Sequence, residues 1–149
     1  MVNRIQISKN FFLDEYVTQE FYKKWGERCI QWIRPEVIRI DQFLRDRFHV
    51  RIIINNWRDG GNRQQSGLRY PVSEVGAGDS LHKFGCASDK IFFEKDPGFY
   101  AEVRRDIVKH FKDLYQPLGL TTIEANTETW LHTNIRNIPD QKHINIVYP

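Results

Sequence analysis

The chain has 149 residues and a mass of 17.8 kDa, and its composition is 40% apolar and 28% charged. This length suits one domain, residues 1–149, with a single core, and the composition excludes a disordered or fibrous protein. The net charge is only +3, and basic and acidic residues are interleaved, so we expect no nucleic-acid partner. No run of about 18 apolar residues occurs, so we expect no membrane insertion.

The first third of the chain has the apolar spacing of helices. Apolar residues between positions 12 and 25 recur at three- and four-residue intervals, which predicts one or two short helices. A longer helix is predicted from Pro35, because proline suits the first helical turn. Val37, Ile40 and Phe48 mark its apolar face, whereas Asp41 is expected to remain solvated with the other charged residues of this helix.

The remainder of the chain is predicted to be mostly strands. Residues 51–55 are a short β-branched apolar run, residues 87–93 are predicted as a second strand, and residues 121–124, 129–135 and 143–148 alternate in polarity. A helix is predicted to begin near Pro97 and to end near Pro117, and a long glycine-rich loop covers residues 56–79. Helices come first and strands cluster later, which predicts an α+β fold with helices packed on a mainly antiparallel sheet.

Two segments contain side chains suited to metal binding. The first, SLHKFGCASD, spans residues 80–89 and contains His82 and Asp89, and Gly85 allows the chain to turn between them. The second, TETWLH, ends at His132. Each of these residues alone is more often structural than a ligand. Together, two imidazoles and one carboxylate form a ligand set for catalytic zinc, with the fourth position left for water.

The SLHKFGCASD segment resembles the SxHxxGxAxD signature of the M15 peptidases, and TETWLH resembles the later WxH element of that family. These enzymes are zinc D-Ala-D-Ala carboxypeptidases and L-Ala-D-Glu endopeptidases of the hedgehog/DD-peptidase fold. The likeness extends to NNWRDGG…SGLR and IEANTETWLHTNIR, so it covers nearly the whole chain and is greatest with small members from phages and bacteria. It implies that His82, Asp89 and His132 bind Zn²⁺.

The resemblance also implies a carboxylate that acts as general base shortly before the last ligand histidine. Family members often place it three residues earlier, where this chain has Thr129. Glu128 is the first candidate, because an unbroken strand would put residues 128, 130 and 132 on one face. Glu124 is the second candidate, since a turn at residues 125–127 could bring it back beside the metal.

Further residues have roles implied by the same resemblance. An arginine ahead of the zinc motif commonly holds the substrate carboxylate or the oxyanion, and Arg58 is the first choice for this catalytic role. Arg69, Ser80 and Trp130 are assigned to substrate binding. Asn134 stands where many relatives have Asp after the WxH element, which affects the partner of His132.

The function implied by the resemblance is that of a zinc metallopeptidase, either a carboxypeptidase or an endopeptidase, that cleaves D-amino-acid-containing bonds in peptidoglycan stem peptides. The alternative is an inactive, zinc-containing binding or structural protein of phage origin on the same scaffold. We expect a monomer. The N-terminal segment lacks the apolar stretch of a secretory signal, so we expect a soluble protein made in the cytoplasm that reaches the cell wall through phage lysis or another export route.

Overall fold

A computed structural model describes residues 3–70 and 74–149, and residues 71–73 of the predicted glycine-rich loop lie outside the described part. The described residues form three α-helices, several short turns of 3₁₀ or π helix and one five-stranded sheet. The predicted α+β fold is confirmed. Within these residues no helix has the length and apolar character needed to cross a membrane.

The three α-helices begin where their sequences favour helix initiation. Helix α1 spans Gln19–Trp25, and the hydroxyl of Thr18 accepts a hydrogen bond from the Phe21 N–H at its start. Helix α2 spans Pro35–Phe48 and helix α3 spans Pro97–Lys109, each with proline in the first turn. Five other segments, 13–16, 26–32, 57–59, 81–84 and 116–118, form 3₁₀ turns, and Phe111–Tyr115 is a π turn.

The sheet contains strands β1 (Ile52–Ile53), β2 (Ala87–Phe92), β3 (Thr122–Glu124), β4 (Leu131–Asn134) and β5 (Asn145–Val147). Their order is β1-β2-β4-β3-β5, and every neighbouring pair is antiparallel except β3 and β5. All five predicted strands are present. The predicted strand over residues 129–135 is shorter than expected, because the chain still bends at residues 128 and 129.

Helices α2 and α3 cover one face of the sheet. Asp41 of α2 accepts hydrogen bonds from Ser88 of β2, and Tyr100 of α3 packs its ring against Phe92 of the same strand. Side chains of a strand alternate between its faces, so Ser88, Lys90 and Phe92 point towards the helices. Asp89 therefore points to the opposite face, away from the helical layer.

A buried carboxyl near the N-terminus gives the first prediction. Burial raises the pKa of Glu15 to about 7, although the hydrogen bond from the Phe12 N–H and the charge of Arg4 both lower it. Between pH 4.5 and 7 the folded chain therefore binds more protons than the unfolded chain, and stability falls as the pH rises. Because Glu15 is partly exposed, we expect Glu15→Gln to increase the free energy of unfolding by only about 1–2 kcal/mol at pH 8.

Urea denaturation at pH 4.5 and pH 8 would measure this effect. The amide oxygen of glutamine can still accept from Phe12, so the two proteins should differ little at pH 4.5. Equal stabilities at pH 8 would contradict the shifted pKa of Glu15.

Candidate metal centre

Strands β2 and β4 bring two of the predicted ligands together. Asp89 lies directly opposite His132 in the antiparallel pairing, on the face of the sheet that the helices leave uncovered. Directly opposed residues of such a pair have neighbouring side chains. The hydrogen bond between His132 Nδ1 and Asp89 Oδ1 is 2.7 Å long.

His82 reaches the same place from the 3₁₀ turn Leu81–Phe84. Its Nδ1 donates to the Gly67 carbonyl oxygen at 2.8 Å, which leaves Nε2 facing Asp89 and His132. The turn ends at Gly85 with φ +67°, and Gly85 N–H closes it on His82 O. A hydrogen bond from Arg34 N–H to Gly85 O then ties the turn to the start of α2.

The donor atoms have spacings that suit a metal ion. His82 Nε2 lies 3.3 Å from both His132 Nδ1 and Asp89 Oδ2, and the three ligand atoms lie within 4.8 Å of one another. Zinc bonds of about 2.0–2.1 Å place neighbouring ligands of a tetrahedron roughly 3.3 Å apart. His82, Asp89 and His132 can therefore hold a metal ion.

Asp89 is charged in this setting. Burial opposes its ionisation, but hydrogen bonds with His132 and His82 outweigh burial and hold the pKa of the carboxyl well below its usual range. Arg69 adds an ion pair, with Nη2 3.3 Å from Asp89 Oδ2. Burial lowers the pKa of Arg69, although the charges of Asp89 and Glu124 oppose that shift.

Asn134 lies beside His132 on the same face of β4. Its amide nitrogen is 2.9 Å from His132 Nε2, so Nε2 accepts while Nδ1–H donates to Asp89. Metal binding through Nδ1 would require the His132 proton to move to Nε2. The Asn134 amide would then flip, so that its oxygen accepts the hydrogen bond from Nε2–H. The Asn134 amide can therefore hydrogen-bond to Nε2 in either tautomer of the His132 ring.

The three ligands line a cavity of about 590 Å³. Arg69, Ser80, Glu124 and Trp130 line it as well. On β3, Thr122 pairs with Asn134, and Glu124 two residues later lies on the same face of the sheet as Asn134 and His132. A shallower depression of about 360 Å³ adjoins this cavity, and both share Arg69, Asp89 and Trp130.

Two predicted catalytic residues do not reach this cavity. Glu128 is exposed in the bend before β4 and lines neither depression, because the unbroken strand that would have put residues 128, 130 and 132 on one face does not form. Arg58 lies in the 3₁₀ turn Trp57–Asp59, with its guanidinium 5.7 Å from the centre of the Tyr22 ring. Glu124 and Arg69, by contrast, both line the cavity.

Arg104 of α3 is a residue that the sequence reasoning missed. Its guanidinium donates to the carbonyl oxygens of Glu124 at 3.0 Å and Trp130 at 2.9 Å, and also to Thr127. It thereby holds the connection between β3 and β4, which carries Glu124 and Trp130 at its two ends. Arg136 and Asp79 also line the cavity. The one sequence signal for Arg136 is the alternation of side chains along an extended chain, which puts position 136 on the same face as His132 and Asn134.

Gly85 gives a second prediction. A Cβ at this position would lie 1.6 Å from the Trp32 carbonyl oxygen, in a backbone conformation that side chains rarely adopt. We expect Gly85→Ala to lower the free energy of unfolding by about 3 kcal/mol or more, and to weaken metal binding because the turn carries His82. Gly60→Ala is the matched control, since Gly60 has φ +86° but nothing within 4 Å of the added Cβ.

Urea denaturation of both variants would separate the clash from the backbone strain that they share. The Gly60 variant should lose only about 1 kcal/mol. Similar losses in the two variants would show that the approach of Gly85 to Trp32 is not a tight constraint.

Comparison of this chain with protein-family models, curated proteins and solved structures found no match.

Proposed function

We propose that the chain is a zinc metallopeptidase that hydrolyses D-amino-acid-containing bonds in peptidoglycan stem peptides. The observation that supports the proposal is the grouping of His82, Asp89 and His132, with ligand atoms within 4.8 Å of one another, on the wall of an open cavity. Two imidazoles and a carboxylate leave a position for water, which is the arrangement of catalytic rather than structural zinc. Zinc, when bound, lowers the pKa of its water and polarises the scissile carbonyl.

The chain's own residues provide for the remaining steps. Glu124 is a carboxylate on the cavity wall, on the same face of the sheet as His132, that can accept a proton from the attacking water and pass it to the leaving amine. Arg69 presents a guanidinium beside Asp89, where it can stabilise negative charge on the reacting carbonyl oxygen. Gly67 O and Asn134 fix the two imidazole rings from behind, so neither ring has to be ordered on metal binding.

The substrate class rests on the resemblance of SLHKFGCASD and TETWLH to the M15 peptidase motifs. The cavity is compatible with a peptide, because it combines the apolar ring of Trp130 with the charges of Arg69 and Arg136 and the hydroxyl of Ser80. Its continuation into the shallower depression past Trp130 leaves room on both sides of the metal ligands. Stem peptides carry free carboxylates, which these arginines could pair with.

Zinc content and cleavage of purified peptidoglycan test the proposal together. The protein should bind one zinc per chain and release new amino groups from peptidoglycan. Removal of zinc by a chelator should abolish the release, and added zinc should restore it. Activity that survives complete metal removal would contradict the proposed mechanism.

A non-catalytic, zinc-containing binding protein on the same scaffold is the second candidate. The observation that favours it is the exposure of Glu128 outside the cavity, together with threonine at position 129, where relatives often carry the general base. Stoichiometric zinc without any release of amino groups, combined with retention on peptidoglycan in sedimentation, would support this candidate over the peptidase.

A further inference from the structure

A buried ion pair lies behind the candidate metal centre, on the helix-facing side of the sheet. Lys90 of β2 and Asp41 of α2 are both fully buried, with Lys90 Nζ 3.1 Å from Asp41 Oδ1. Fully buried lysine is rare in proteins unless it is paired. Asp41 was expected to remain solvated, and its burial shows that this expectation was wrong.

Both charges have several further hydrogen-bonding partners. Asp41 accepts from the Ser88 hydroxyl at 2.9 Å and from the Tyr16 hydroxyl at 3.0 Å. Lys90 Nζ donates to the Thr133 hydroxyl at 2.7 Å and to the Ser88 carbonyl oxygen at 3.2 Å. The network therefore joins α2, β2 and β4 through side chains.

The network connects the two strands at the point where they carry metal ligands. On β2, Ser88 and Lys90 flank Asp89 and point to the opposite face. On β4, Thr133 follows His132 and points to the same face as Lys90. The 2.7 Å contact between Lys90 and Thr133 thus lies directly behind the Asp89–His132 pair.

The free energy of a buried ion pair indicates that this pair has a role besides stability. Replacing both members of a buried pair with apolar side chains is often neutral or stabilising, whereas removing one member leaves an unpaired buried charge and is strongly destabilising. Its directional contacts, by contrast, constrain the spacing of β2 and β4 more closely than apolar packing would.

We propose that Lys90 and Asp41 are positioning residues for the metal centre, which hold β2 and β4 so that Asp89 and His132 are presented at ligand spacing. The inference rests on the proposed metal site and extends it to residues that touch neither metal nor substrate.

The test compares the double variant Lys90→Met/Asp41→Leu with the wild-type chain. Unfolding by urea measures stability, and competition with a chromophoric chelator measures the affinity for zinc, under conditions where both proteins are folded. We expect the double variant to remain folded but to lose some stability, because the buried hydroxyls of Tyr16, Ser88 and Thr133 lose their partners, and to bind zinc at least about tenfold more weakly. A purely structural pair would leave the zinc affinity of the folded protein unchanged.

A second ion pair on α2 provides the matched control. Arg47 pairs with Asp106 of α3 at 2.7 Å and lies between the helices rather than behind the ligand-bearing strands. The double variant Arg47→Met/Asp106→Leu should bind zinc like the wild type. If the Lys90/Asp41 variant does not fold, Thr133→Val removes the shorter of the two hydrogen bonds from Lys90 to β4, leaving the 3.5 Å contact with the Leu131 carbonyl oxygen, and should weaken zinc binding in the same direction.

The outcomes separate this inference from the proposed function. Wild-type zinc affinity in the folded Lys90/Asp41 variant, or in Thr133→Val, would overturn the positioning role and leave the metal site intact. A wild-type chain that binds no zinc would overturn the metal site and this inference with it.

Discussion

Glu124→Gln is expected to lower kcat for peptidoglycan cleavage about 10²–10⁴-fold while the zinc content stays the same. Glutamine keeps the size of the side chain but cannot accept a proton from the attacking water. Glu124 contacts none of the three ligands in the described hydrogen bonds, so its substitution should not release the metal. Steady-state cleavage of purified peptidoglycan, with metal analysis of each preparation, measures both quantities.

Glu128→Gln is the control for this prediction, because it makes the same chemical change at an exposed position outside the cavity. It should leave kcat within about twofold of the wild type. A loss of activity in Glu128→Gln, with Glu124→Gln unaffected, would make Glu128 the general base, which was the first candidate from the sequence. It would also imply that the connection between β3 and β4 rearranges when substrate binds.

The order of helices and strands could be predicted because their periodicities are clear. The strand positions follow alternation of apolar and polar residues, and α2 and α3 follow three- and four-residue spacing after a proline. The grouping of His82, Asp89 and His132 was also predicted, from their residue types and the resemblance of two segments to the M15 motifs. The pairing of β2 with β4, which places Asp89 opposite His132, was not predicted from the sequence.

The general base could not be chosen from the sequence, because the choice depends on where β4 begins. A strand starting before residue 130 would have turned Glu128 towards His132. Arg104 of α3 instead binds the carbonyl oxygens of Glu124 and Trp130, which holds the connection as a turn up to residue 130. These two contacts join residues 20 and 26 positions apart, so no local pattern reveals them.

Asp41 shows a different limit of sequence reasoning. Its position, four residues after Val37, lies on the buried face of α2, but its residue type argued for exposure. The structure pairs Asp41 with Lys90 of β2, which is buried as well. The expectation of a solvated Asp41 followed its residue type and was wrong, because the partner that allows its burial is distant in the chain.

Arg69→Met is expected to lower kcat about 10²–10³-fold, which is the usual effect of removing a donor to a developing oxyanion. Arg69 lines both depressions and pairs with Asp89, whereas Arg58 lies over the Tyr22 ring in a separate turn. Arg58→Met removes the same group from the rival position and should change kcat by less than about threefold.

The zinc content decides how a loss in Arg69→Met is interpreted. Arg69 is 3.3 Å from Asp89 Oδ2, so its removal could act on the ligand rather than on the substrate. Asp89 still has His82 and His132 as partners, and we therefore expect Arg69→Met to retain one zinc per chain. A variant that loses zinc and activity together would make Arg69 a partner of the metal ligand, whereas one that keeps zinc and loses kcat places its guanidinium at the reacting carbonyl.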